Sequence, residues 1–112
     1  MTITVIVTYN DDTVVEYDNF DEIENNVNVI MIDCCHNKLT SLPDNMIFPN
    51  LTGFDCSYNK LKSLPYNMML PNLTHFSCSN NNLYYIPPYI YCSIIKDDTT
   101  KLPEYMRRKI LI

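Results

Sequence analysis

Residues 51–61 read LTGFDCSYNKL, and two other segments repeat the pattern: VIMIDCCHNKL at 29–39 and LTHFSCSNNNL at 73–83. Each copy starts 22 residues after the previous one. Equivalent positions carry equivalent side chains, such as the asparagines Asn37, Asn59 and Asn81. A regular offset of this length is typical of proteins built from stacked structural repeats, so it decides the predicted fold.

Within each copy, apolar and polar residues alternate, which predicts a short β-strand. In the second copy, Phe54 and Cys56 would point into the core, and Asp55 would point to solvent. Equivalent strands should stack into a parallel sheet with a spacing of ~4.8 Å. A Leu-Pro segment follows the first two copies and Ile86-Pro87 follows the third. Because proline disfavours the α-helix, we expect extended or 3₁₀ returns on the opposite side.

The repeat boundaries predict a single domain of three parts. The predicted repeats are 29–50, 51–72, 73–88 and 89–103, of which the third is shortened and the fourth is degraded. Residues 1–28 should form a capping hairpin, followed by a short helix that a capping box at Asn19–Glu22 opens. Residues 104–112 should form a short C-terminal helix that covers the other end of the core.

The three copies fit the template L-x-x-L-x-L-x-x-N-x-L, which resembles the leucine-rich-repeat superfamily over residues 27–106. The Asn-x-Leu-x-x-Leu-Pro rhythm is similar to the short repeats of bacterial effectors and of giant DNA viruses of amoebae, which suggests a mimivirus-like viral protein. The resemblance implies a right-handed leucine-rich-repeat solenoid. Its parallel sheet would line a concave face that binds proteins, and its returns would form the convex face.

Charge is distributed unevenly along the chain. Residues 1–37 contain eight acidic residues and no Lys or Arg, whereas residues 38–112 contain eight basic residues and five acidic ones. An acidic surface repels phosphate backbones, so nucleic acid is not an expected partner. With a single glycine in the chain, Gly-rich phosphate-binding loops are excluded.

No stretch of the sequence approaches the ~20 apolar residues that a membrane-spanning helix requires, so no membrane partner is expected. The alternating start of the chain predicts a strand rather than a signal peptide. An odd number of cysteines, five, is more typical of a reducing compartment than of a disulfide framework. The predicted location is therefore cytoplasmic: the host-cell cytoplasm, or the virion if the protein is viral.

The predicted partner-binding residues are those whose positions in the repeat point to solvent on the sheet. Tyrosines are favoured anchors, because the ring offers a large contact area and the hydroxyl a hydrogen bond. Asp33 and Asp55 fall side by side on adjacent strands, where like charges are destabilising, so a Lys or Arg of a partner would relieve their repulsion. The predicted set is Met31, Asp33, Cys35, His36, Asp55, Ser57, Tyr58, His75, Ser77, Asn80 and Tyr91.

Metal binding and catalysis are not predicted. The strand spacings place the backbones of His36 and His75 ~19 Å apart, too far for a shared metal whose ligand bonds are ~2 Å long. No third residue orients a Cys35–His36 pair for nucleophilic catalysis. No cofactor is expected, and the column Asn37, Asn59 and Asn81 is predicted to satisfy backbone groups where the chain turns.

The sequence therefore predicts a non-enzymatic module that binds a protein partner on the concave sheet face. The alternative is a structural or self-assembling component, such as a homo-oligomer or a virion-associated protein. It would assemble through an exposed sheet edge, or head to tail through the acidic N-terminal part and the basic remainder.

Overall fold

The structure is a computed structural model that describes residues 3–65 and 67–84. Within these residues the chain forms five strands and two single-turn 3₁₀ helices. In chain order they are β1 (Val5–Tyr9), β2 (Val14–Tyr17), the 3₁₀ helices Phe20–Glu22 and Asn26–Asn28, β3 (Val29–Asp33), β4 (Gly53–Asp55) and β5 (His75–Ser77). The described part of the chain thus has almost no helix.

All five strands belong to one mixed sheet with the order β2-β1-β3-β4-β5. Strand β1 pairs antiparallel with both β2 and β3, whereas β3, β4 and β5 run parallel. The predicted leucine-rich-repeat solenoid, with concave and convex faces and a separate N-terminal cap, is therefore wrong. The unpaired edge of β3 needs backbone partners, and the hairpin supplies them by joining the sheet.

The parallel part of the sheet pairs residues that are 22 apart in sequence. Ile32 lies beside Phe54, which lies beside Phe76, and the neighbouring triplets keep the same register. Further along the chain, Ile47 and Met69 form an isolated parallel bridge between the proline-containing segments. Equivalent positions are therefore direct neighbours on both sides of the core.

The core lies between the inner face of the sheet and these proline-containing segments. Val5 and Val7 of β1, Ile32 of β3 and Phe54 of β4 are buried, and Leu61 is buried from the other side. Burial of each such side chain contributes roughly 1.5–3 kcal/mol to the free energy of folding. The Phe54 and Phe76 rings lie with their centroids 5.7 Å apart, so aromatic contact continues the core to β5.

The predicted short helix after the hairpin is replaced by the two 3₁₀ turns. Asn19 accepts a hydrogen bond from the Glu22 amide at 3.1 Å, as an N-cap residue does. The Glu22 carboxylate accepts from the amide of Asp18 at 3.3 Å, rather than from Asn19 itself. Because the chain must re-enter the sheet at Val29, the turn ends at Glu22 instead of continuing as an α-helix.

Several predicted features lie outside the described residues: Tyr91, the fourth repeat at 89–103 and the C-terminal cap at 104–112. Among the residues that are described, no helix has the length and apolar composition needed to span a bilayer.

Candidate protein-binding face

The outer face of the sheet, which points away from the core, carries one row of paired residues across all five strands, and each member except Ile6 is polar. The pairing register places Glu16 beside Ile6, Ile6 beside Asp33, Asp33 beside Asp55, and Asp55 beside Ser77. Side chains paired in this way share a face. The sequence prediction missed Ile6 and Glu16, because it treated the hairpin as a separate cap; the alternation in residues 5–9 was the available signal.

Asp33 and Asp55 form the centre of this face. Asp33 Oδ1 accepts a hydrogen bond from the Cys35 amide at 3.1 Å, and Asp55 Oδ1 accepts one from the Ser57 amide at 3.0 Å. These bonds hold the two carboxylates in fixed orientations on adjacent strands. In the described residues, their other polar contact is the Cys35 thiol, so the negative charge faces outward.

Cys35 lies between the two carboxylates. Its Sγ donates to Asp33 Oδ1 at 2.5 Å and lies 3.7 Å from Asp55 Oδ2. Burial, the Asp33 hydrogen bond and the neighbouring negative charges raise the pKa of the Cys35 thiol to about 12. At neutral pH the side chain is therefore a protonated hydrogen-bond donor rather than a thiolate nucleophile.

Donor atoms of Asp33, Cys35 and Asp55 all lie within 4.8 Å of one another, a separation that one metal ion can bridge. In the sequence these three residues belong, with His36 and His75, to a set that invites a zinc site, and the spacing of the two histidines disfavours a metal shared by them. A metal bound to sulfur would have to displace the thiol proton, which the raised pKa of Cys35 disfavours.

The histidines of the predicted site lie in separate environments. The His36 ring stacks on the Tyr58 ring with centroids 4.5 Å apart and planes inclined by 11°. His75 contacts the Thr74 hydroxyl through Nδ1 at 2.9 Å. The two imidazoles thus have different partners.

His36, Tyr58 and Asn80 share an unusual backbone conformation. Their φ angles are 59°, 58° and 56°, in the left-handed region that favours Gly and Asn. Tyr58 is 53% exposed and His36 is also exposed, so the turns present two stacked aromatic rings to solvent. Bulky residues in this conformation are strained, and such strain is concentrated at functional sites.

The serine side chains of the predicted set form hydrogen bonds with other side chains of the protein. Ser57 is only 4% exposed, and its hydroxyl lies 2.7 Å from Ser77 Oγ and accepts from Ser79 Oγ at 3.2 Å. Met31 is half-buried and its sulfur covers Gly53, which has no side chain to compete for that space. Among the described residues, the exposed members of the predicted set are His36, Tyr58, His75 and Asn80, whereas Asp33 and Asp55 are half-buried.

The asparagine column makes backbone contacts throughout. Asn59 donates to the carbonyls of Cys34, Cys56 and Ser57 at 3.0–3.2 Å. Its Oδ1 accepts from the amides of Asn37 and Leu39 at 2.9 and 3.0 Å.

Asn81 repeats this arrangement one copy later, where its Oδ1 accepts from Leu61. Asn37 exchanges hydrogen bonds with the backbone of Thr4, and so ties the hairpin to the repeats.

The inward cysteines form a second column. Cys34 and Cys56 are buried and Cys78 is half-buried, and all three are free thiols. Burial is the largest cause that raises the pKa of each, to about 12 for Cys78. They behave as small apolar side chains in the core.

Comparison of the chain with protein-family models, with curated proteins and with solved structures finds no match.

Proposed function

We propose that this protein is a non-enzymatic binding module that recognises another protein through the outer face of its sheet. The Asp33–Asp55 pair receives a Lys or Arg side chain of the partner, and the stacked rings of His36 and Tyr58 provide the adjacent contact. The observation that carries the proposal is the pairing of two oriented carboxylates on adjacent strands.

The electrostatics of the pair support this assignment. Two like charges directly opposite each other on a sheet are destabilising, and a guanidinium or ammonium group would neutralise both. The backbone amides already hold one oxygen of each carboxylate, so little side-chain entropy is lost when the cation binds.

The aromatic pair supports the same face. Tyrosine is enriched among the residues that dominate binding energy at protein interfaces. Tyr58 exposes about half of its surface although its backbone conformation is unfavourable for a tyrosine. The protonated Cys35 thiol gives no reason to assign catalysis.

The experiment is a selection of random displayed peptides on the immobilised full chain, followed by affinity measurements with the synthetic winners. We expect the winners to contain a Lys or Arg next to an apolar residue. The double variant Asp33→Asn/Asp55→Asn should bind them roughly tenfold or more weakly, equivalent to about 1.4 kcal/mol or more.

The matched control is Asp21→Asn/Asp44→Asn, which removes the same charge from exposed positions elsewhere. It should change the affinity less than about twofold, because separated surface charges are screened by salt. Winners without basic residues, or equal losses in both double variants, would overturn the assignment.

A further inference from the structure

A polar recess lies on the face of the hairpin opposite to the outer face. Its volume is about 270 Å³, and it lies between the hairpin and residues 24–28. Tyr9, Asp11, Tyr17 and Glu24 supply its functional groups. Ligand pockets for drug-sized molecules begin at about 300 Å³, so this recess suits a single side chain or a small linear molecule.

The hydrogen bonds of the two tyrosines can run in only one direction. The Tyr9 hydroxyl lies 2.7 Å from the Glu24 carbonyl oxygen, and a carbonyl can only accept. Tyr9 therefore donates its hydrogen to Glu24. The Tyr17 hydroxyl, 2.6 Å from that of Tyr9, must then be the donor in the tyrosine pair.

This direction determines what the recess can offer a ligand. Both hydroxyl hydrogens are already used, whereas lone pairs remain on Tyr17 Oη. Burial, followed by the contact with Tyr17, raises the pKa of Tyr9 to about 12, so the Tyr9 hydroxyl stays protonated at neutral pH. The tyrosine pair thus accepts hydrogen bonds from a ligand and has none to donate.

The charges around the recess have one sign. The Glu24 carboxylate is near enough to Tyr9 for its charge to contribute to the raised pKa of that hydroxyl. Hydrogen bonds from Thr13 lower the pKa of Asp11, which keeps its carboxylate ionised. None of the lining residues is Lys or Arg, so an anionic ligand would be repelled.

We propose that this recess binds a primary alkylammonium group, with the –NH₃⁺ donating to Tyr17 Oη and to the carboxylates of Glu24 and Asp11. An ammonium has three hydrogens to donate and no lone pair, which complements the acceptor oxygens of Tyr17, Glu24 and Asp11 in the lining. The aromatic rings and Val15 would cover the carbon chain. The methylene groups of lysine side chains commonly pack along apolar surface in this way. A lysine of a protein and a free polyamine both carry this group, and the experiment below distinguishes the two sources.

This inference does not depend on the proposed function, because the two sites share no residue. Different variants therefore test them, and either can fail while the other stands.

The experiment is a titration of the full chain, followed by amide-resolved NMR, at about 0.15 M salt to screen distant charges. The probes are 1,5-diaminopentane, spermidine, Nα-acetyl-lysine methylamide and the Nε-acetylated form of the last. We expect the three ammonium compounds to shift amide signals of residues 9–17 and 24–28 with saturation. The Nε-acetylated compound should produce no such shifts, since its charge and two of its donors are gone.

Two variants test the acceptor groups separately. Glu24→Gln and Tyr17→Phe should each weaken ammonium binding at least fivefold, and both keep the size of the original side chain. The matched control is Glu16→Gln, which makes the same charge change as Glu24→Gln. Glu16 precedes Tyr17 in β2, so its side chain lies on the opposite face of the sheet from the recess. It should alter the affinity less than about twofold.

The outcomes separate the alternatives. Equal weakening by Glu16→Gln and Glu24→Gln would show only general attraction to an acidic surface and would overturn the proposal, as would binding of the Nε-acetylated compound. Tighter binding of the lysine derivative than of the polyamines would assign the site to a protein lysine. The reverse order would assign it to a polyamine, and both orders support an ammonium site.

Discussion

Asn59 links two successive copies of the repeat through its side chain. It is 7% exposed, and its amide serves three carbonyls and two backbone amides. Few other side chains can both donate and accept in this way, which explains why asparagine occupies the position in all three described copies. The backbone groups it serves would otherwise be buried without partners.

We therefore expect Asn59→Ala to lower the free energy of unfolding by roughly 3 kcal/mol or more, because several buried backbone groups lose their partners at ~1–3 kcal/mol each. Urea denaturation of the variant measures the loss. The control is Asn82→Ala, an exposed asparagine in the third copy, which should change stability by no more than about 0.5 kcal/mol. Similar losses in the two variants would contradict the role assigned to Asn59.

The turns that follow β3, β4 and β5 all contain a residue with positive φ. In the third copy this residue is Asn80, which tolerates the left-handed conformation, whereas His36 and Tyr58 occupy the first two. The sequence predicts a polar turn at these positions. It does not reveal the sign of φ, because histidine and tyrosine also occur in loops with negative φ. The strain at the two aromatic positions is one reason to assign binding to this edge.

A substitution at Asn80 tests whether the turn conformation is maintained in solution. Asn80→Ala should destabilise the protein by about 1 kcal/mol, since alanine gains steric conflict at positive φ. Asn80→Gly should be neutral or slightly stabilising, because glycine has no Cβ. Thermal and urea unfolding of both variants provide the measurement, and equal stability of the alanine and glycine variants would count against the left-handed turn.

The strands of the hairpin show what periodicity could and could not predict. The alternation in residues 2–9 and 13–17 predicted two strands, and the structure has β1 at Val5–Tyr9 and β2 at Val14–Tyr17. Their place in the sheet was predicted wrongly. Alternation reports which face of a strand is buried, but not which backbone edge it joins.

The thiols influence the stability of the molecule as a whole. Burial raises the pKa of Cys34, Cys56 and Cys78, and the pKa of Cys35 is also raised. An unfolded cysteine has a pKa of about 8.5. A raised pKa in the folded state means that the folded protein retains protons that the unfolded chain releases, so the thiols stabilise the fold fully below pH ~8.5 and progressively less above it.

We expect the free energy of unfolding, measured with urea under reducing conditions, to fall by more than ~2 kcal/mol between pH 8.5 and pH 10. The variant Cys78→Ala should show a shallower decrease, since one shifted thiol is removed at a half-buried position. Its stability at pH 7 serves as the reference for its own pH series. An identical pH dependence in both proteins would contradict the contribution of Cys78.

The candidate binding face was predicted only in part. The repeat alone predicts Asp33 beside Asp55, since both occupy the same position of successive copies, and the two residues are paired in the sheet. The hydrogen bond between the Ser57 and Ser77 hydroxyls and the position of the Cys35 thiol between the carboxylates could not be predicted, because they depend on side-chain rotamers. The His36–Tyr58 stack depends in addition on the left-handed turns.

The amino-acid sequence by itself determined which residues are equivalent: the 22-residue offset groups Ile32, Phe54 and Phe76, and these are neighbours in the parallel strands. It could do so because side chains that share an environment share a chemical type. Only the tertiary structure decided that the hairpin joins β3 to make one mixed sheet. It also decided that the Tyr9 hydroxyl contacts both the Tyr17 hydroxyl and the Glu24 carbonyl. The pairing of the hairpin with β3 depends on backbone hydrogen bonds between distant segments, and residues of every type except proline offer the same backbone groups. The tyrosine contact depends on side-chain positions that are fixed only when those segments pack together.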